Sequence, residues 1–200
     1  MKNLLLTLCL IGGALKASAQ DREVYYSNPS AGYGSWDVVD NWGIYQTSGG
    51  GELGRLPGEG EYVKVSAYTL AAEDGKALCV TNGVDAICHS FVSGRDAVAN
   101  KTAWFRLDGG NLACLNNFLI GYNGNGLATL ESGTLSNEWD SGTFYISSSS
   151  GGSGTVTNNG AEVNFGKIIV GRAANGQGTY VQNGGSITGR TDIYIGDISH

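Results

Sequence analysis

Between Trp104 and Ile198 one short phrase is written four times. Its first half reads WFRLDGGNL (104–112), LATLESGTL (127–135), TVTNNGAEV (155–163) and TYVQNGGSI (179–187). Its second half reads NNFLIGYN (116–123), GTFYISSS (142–149), GKIIVGRA (166–173) and TDIYIGDI (191–198). The first half restarts after 23, 28 and 24 residues. A near-constant spacing of this kind defines a repeat architecture, in which each unit buries its apolar row only against its neighbours.

Within each phrase the apolar residues alternate, which is the period of a strand. Phe118 and Ile120 fall on one face and Leu119 on the other. Phe144/Ile146, Ile168/Val170 and Ile193/Tyr194/Ile195 occupy the equivalent places, as do Leu107/Leu112, Leu130/Leu135, Val163 and Ile187 in the first halves. Stacked at about 4.8 Å, such coils build ladders of like side chains and pair their backbones from coil to coil. The expected fold is all-β, a right-handed parallel β-helix or solenoid with coils of about 25 residues. An antiparallel β-sandwich is the alternative. Gly109-Gly110, Ser132-Gly133, Asn159-Gly160 and Gly184-Gly185 mark corners, where positive φ is needed. The only helical candidate after residue 20 is GRDAVANKTAW (94–104), two turns at most.

FVSG at 91–94 resembles FLIG at 118–121, so one or two imperfect coils are expected between 61 and 100. Residues 20–60 differ: Tyr25, Tyr26, Tyr33, Trp36, Trp42 and Tyr45 are interleaved with Gly and Ser. They read as an aromatic N-terminal cap over the open end of the first coil. The competing reading is a sugar-stacking or ion-binding site made of Trp36, Trp42, Asp37 and Asp40. The expected layout is thus a leader over 1–19, a cap region over 20–60 and repeats over 61–200 that continue beyond the chain end.

The leader has Lys2, an apolar run from Leu4 to Leu15 and the small residues Ala17-Ser18-Ala19 before Gln20, the pattern of a secretory signal peptide. The run is short of the roughly 20 residues needed to span hydrocarbon, and no transmembrane segment is expected elsewhere. Removing it takes the net charge from −6 to −8. An acidic surface argues against nucleic acid and anionic membranes as partners, since both require basic patches. Cys79, Cys88 and Cys114 then remain, an odd number for an exported chain. They read as small apolar core residues, with a local Cys79–Cys88 disulfide as the alternative.

Here the chain acquires a resemblance. Trp36…Asn41-Trp42, then Pro57-Gly58-Glu59-Gly60-Glu61-Tyr62-Val63-Lys64-Val65, then the Gly-punctuated phrases, resemble exported bacterial proteins with autotransporter-associated β-strand repeats. The resemblance covers most of residues 35–198. It implies a secreted or cell-surface β-solenoid with a structural or adhesive role.

No catalytic, cofactor or metal motif stands out. The glycine corners lack GxxxxGK[ST], Gly151-Gly152-Ser153-Gly154-Thr155 lacks the Asp of a calcium roll, and His89 and His200 sit in no nucleophile motif. Glu131 with Glu138 or Asp140 is a conceivable glycosidase pair, set against the reading of adjacent acids on a Gly-rich surface as solvated. The chain is therefore read as non-catalytic and without cofactor. One coil breaks the pattern: between paired inward positions the four coils carry five, eight, four and five residues. The long one holds Asn137-Glu138-Trp139-Asp140. Trp139 with Glu138 and Asp140 is the candidate glycan site, an indole to stack on a ring and acids to accept its hydroxyls. The alternative is a bulge whose Trp folds over an exposed edge. The partners expected are an extracellular glycan or cell-surface polymer, with end-to-end stacking through an open C-terminal coil; a carbohydrate-binding or polysaccharide-degrading β-helix is the second functional reading.

Overall fold

The structure, a computed structural model, describes residues 22–26, 34–44, 51–65, 77–95, 102–139 and 141–196. The expected leader and Asp140 lie outside these residues. The described strands are β1 (Arg22–Tyr26), β2 (Gly34–Ser35), β3 (Trp42–Ile44), β4 (Gly51–Glu52), β5 (Glu61–Val65), β6 (Ala77–Thr81), β7 (Asp85–Cys88) and β8 (Ser90–Ser93). The repeats supply β9 (Thr102–Cys114), β10 (Phe118–Ile120), β11 (Asn125–Asn137), β12 (Thr143–Ile146), β13 (Ser153–Asn158), β14 (Glu162–Val170), β15 (Gln177–Gln182) and β16 (Ser186–Ile195). No α-helix occurs among the described residues. The helical candidate at 94–104 ends in β9, and 96–101 lie outside the described residues.

The strands stack in parallel into a β-solenoid with a coil of about 26 residues. Each full coil contributes to three ladders. On the first, Val24, Val63, Phe91, Phe118, Phe144, Ile168 and Ile193 follow one another in exact register. On the second the row is Leu78, Phe105, Ala128, Val156 and Tyr180. On the third it is Ala86, Leu112, Leu135, Val163 and Ile187. This parallel register excludes the antiparallel sandwich. Among the described strands, antiparallel pairing is confined to β1–β3 and β3–β4, at the N-terminal end.

The inward rows meet along the solenoid axis. Phe118 packs against Phe91, Phe105, Phe144 and Phe165, so all three walls contribute rings to one cluster. These rings are essentially inaccessible to solvent. Burying a large apolar side chain contributes roughly 1.5–3 kcal/mol relative to leaving it exposed. The phenylalanine column is therefore the main cohesive element of the stack.

The corners bring backbones of successive coils into contact, and glycine is needed there for space as well as for φ. Gly133 has φ +94°, and a Cβ built on it would lie 2.0 Å from the Gly110 carbonyl oxygen. The corner at Asn159-Gly160 is made differently, without positive φ at either residue. There the buried Asn158 side chain accepts from the N–H groups of Gly160 and Ala161 at 3.2 and 2.9 Å, and donates to the Ala161 carbonyl at 3.1 Å. A side-chain amide substitutes for the left-handed turn.

Trp36 and Trp42 are buried at the N-terminal end, both 1% exposed. Their rings meet edge to face at 4.8 Å, and the Trp42 indole N–H donates to the Trp36 carbonyl at 2.8 Å. Rings so covered have no face free for a sugar to stack on. Nearby, the 57–61 turn closes around Glu61. Its carboxylate, 2% exposed, accepts from the Gly58 N–H at 2.7 Å and pairs with the Arg55 guanidinium. That explains the spacing of Pro57-Gly58-Glu59-Gly60-Glu61: the turn carries a backbone donor back to the buried carboxylate.

Candidate functional site

The extra residues of the long coil leave the stack at the corner between β11 and β12. β11 ends at Asn137, whose side chain turns inward and is 2% exposed. Its amide nitrogen donates to the Leu115 and Asn116 carbonyls at 3.2 and 3.3 Å. Its amide oxygen accepts from the Gly166 N–H at 3.3 Å and from Arg190 at 2.7 Å. One side chain thus ties its own coil to the coil before it and to the two that follow. Asparagine fits because it offers donors and an acceptor on one short stem.

Beyond Asn137 the chain turns at Trp139, whose carbonyl accepts from the Gly142 N–H at 2.9 Å and from Arg190 at 3.3 Å. Gly142 is buried under the turn; a Cβ there would meet the Asn137 amide at 1.8 Å and the Asn116 carbonyl at 2.4 Å. The turn is therefore held by its own hydrogen bonds and by Arg190 reaching across. Such fixing lowers the ordering cost of any ligand that lands on it.

The Trp139 side chain leans back along the corner to His89. Their rings meet at 5.5 Å and 84°, and His89 in turn packs on Tyr62 at 4.5 Å. Trp139 remains 46% exposed. Two other rings on the outer wall differ: Arg172 lies over Tyr145 at 5.3 Å and Lys167 over Tyr194 at 5.4 Å. Trp139 is thus an exposed indole at the head of a Trp139–His89–Tyr62 row. Glu138, beside it, is exposed. Asp140, the third residue expected at this site, lies outside the described residues.

The fold does not bring Glu131 to this corner. Glu131 precedes the bend at Gly133 and accepts from Asn159 at 2.8 Å, with Arg106 at 3.9 Å. Glu138 follows the stretch of β11 that pairs on the third ladder, Thr134–Asn137. The two carboxylates sit at opposite ends of that wall. Among the described residues no three His, Cys, Asp or Glu side chains form a metal-holding group, and no helix is long and apolar enough to cross a membrane.

Residues 82–84 separate β6 from β7, so Cys79 and Cys88 lie on different ladders. All three thiols are free and buried. Cys88 stands in register with Cys114 instead. Sequence reasoning also missed His89 and Tyr62 as neighbours of Trp139, because they lie two and three coils earlier and outside the repeated phrases.

No protein-family model, curated protein or solved structure matches this chain.

Proposed function

We propose that this chain is a non-catalytic exported bacterial β-solenoid, a structural or adhesive module outside the cell or at its surface. The observation that carries this reading is the unbroken register from Val24 to Ile193. It assigns nearly every repeated position to ladder or corner, which is how a chain builds a stiff rod. The leader-like first 19 residues support an extracellular setting. Immunolabelling of intact and permeabilised source cells tests it. Label on intact cells or in the medium is expected; label that requires permeabilisation overturns the reading.

A second reading, glycan binding, is favoured by the corner at Trp139, whose indole is exposed, whose turn is held, and which heads a row of rings. Stacking of a pyranose on the indole, with Glu138 accepting hydroxyls, is the chemistry such a corner offers. A glycan array with the wild-type chain and Trp139→Ala decides it. A specific signal lost in the variant is expected, and a signal that the variant retains rules the corner out.

A further inference from the structure

Among the described residues, one pair of thiols meets inside the coil stack, away from this corner. Cys88 ends β7 and Cys114 ends β9, directly opposite one another in the third ladder. Their sulfurs are 3.6 Å apart and both side chains are fully buried. Successive strands of a sheet lie about 4.8 Å apart, inside the Cα span of about 4.4–6.8 Å that a disulfide bridges. Closing the bond needs side-chain rotation and leaves the coil spacing intact. Cys79 has no such partner. It alternates with the inward Leu78 and Val80 and so projects from the other side of the wall, in register with Arg106.

We propose that Cys88 and Cys114 form a disulfide between successive coils when the chain folds under oxidising conditions, leaving Cys79 as the one free thiol among the three. Each cysteine loses its S–H proton and one S–S bond forms. The two electrons pass to a small-molecule or enzyme-borne disulfide, which is reduced to two thiols. The bridge encloses a loop of 26 residues, one turn of the solenoid. It accounts for an odd thiol count without an intermolecular link. Because burial leaves neither sulfur accessible in the finished coil, the bond forms while the stack is still closing.

The test refolds the full chain, carrying Cys9→Ser to remove the leader's thiol, in oxidised and reduced glutathione and, separately, under full reduction. After denaturation and alkylation, the oxidised protein is expected to carry one label, on Cys79, and to yield a linked peptide pair containing Cys88 and Cys114. Its melting temperature should exceed that of the reduced protein by about 5–10 °C, from the usual effect of a loop closure of this size. The gap should vanish in Cys88→Ala/Cys114→Ala and persist in Cys79→Ser. Three labels in the oxidised protein, or a linkage involving Cys79, overturns the proposal. The outcome does not depend on whether the chain is exported, because the oxidant is supplied in the tube.

Discussion

Phe118 stacks on Phe91 with 4.7 Å between ring centroids and 12° between ring planes. The two residues belong to successive coils and occupy the same rung. A parallel solenoid converts equivalence in sequence into contact in space, and this pair shows it directly. Phe118 also meets Phe105, Phe144 and Phe165. Replacing it empties the centre of a five-ring cluster that neighbouring backbones, fixed by coil-to-coil hydrogen bonds, cannot collapse to fill. Phe118→Ala should cost about 3–5 kcal/mol in urea unfolding. Trp139→Ala, at a site 46% exposed, should cost under about 1 kcal/mol. Similar losses at both sites would refute a core centred on the first ladder.

Gly133 and Gly83 separate two reasons for a corner glycine. Both have positive φ, +94° and +84°. A Cβ on Gly133 would press on the Gly110 carbonyl at 2.0 Å, whereas a Cβ on Gly83 meets nothing within 4 Å. Gly83→Ala should therefore show only the left-handed penalty, about 1–2 kcal/mol. Gly133→Ala adds a clash between coils and should cost at least about 2 kcal/mol more, in the range of other overpacking changes. Denaturant midpoints of the two variants measure the difference directly.

How far this was legible from sequence follows from the same geometry. Trp104, Leu127, Thr155 and Thr179 open the four copies of the phrase, and the structure places them in one register. The alignment was readable because apolar alternation and period together leave one way to stack the coils. The corner between the third and first walls was not readable, because its length varies. Cys88 lies three residues before Phe91, but Cys114 lies four before Phe118, so matching the phenylalanines hides the cysteine pair. The same variation carries Trp139 back to His89 and Tyr62, a contact with no sequence period behind it. Asn158 shows the other limit: a polar residue at an inward position reads as a break in the pattern until its hydrogen bonds are seen.

The thiols give the reduced protein an alkaline limit. Burial, and then the neighbouring Cys88, pushes the Cys114 thiol well above its ordinary range; burial also raises Cys79. The unfolded chain gives up these protons first as pH rises, so ionisation favours unfolding. Stability should be level below about pH 8 and fall above about 8.5. Cys114 alone can account for up to about 1.4 kcal/mol per pH unit. Urea midpoints of the reduced protein between pH 7 and 9.5 should show this decline, shallower in Cys114→Ala. A Cys88–Cys114 bridge would remove the Cys114 part of the slope, because that sulfur no longer titrates.

Asn137 and Arg190 act on the same turn and should be separable. Asn137 is buried and serves the Leu115 and Asn116 carbonyls, the Gly166 N–H and Arg190. Asn137→Ala strands several of these groups away from water, so a loss of about 1–3 kcal/mol is expected. Arg190 is exposed as a residue, and its guanidinium reaches the corner, where it also donates to the Trp139 carbonyl. Arg190→Ala should cost less than about 1 kcal/mol, since the carbonyls it leaves can be met by solvent or by Gly142. Its effect should fall on the turn: faster limited proteolysis at 138–142 with an unchanged global midpoint. If both variants lowered the midpoint equally and left cleavage at the turn unchanged, Arg190 would be part of the stack and not a brace for Trp139.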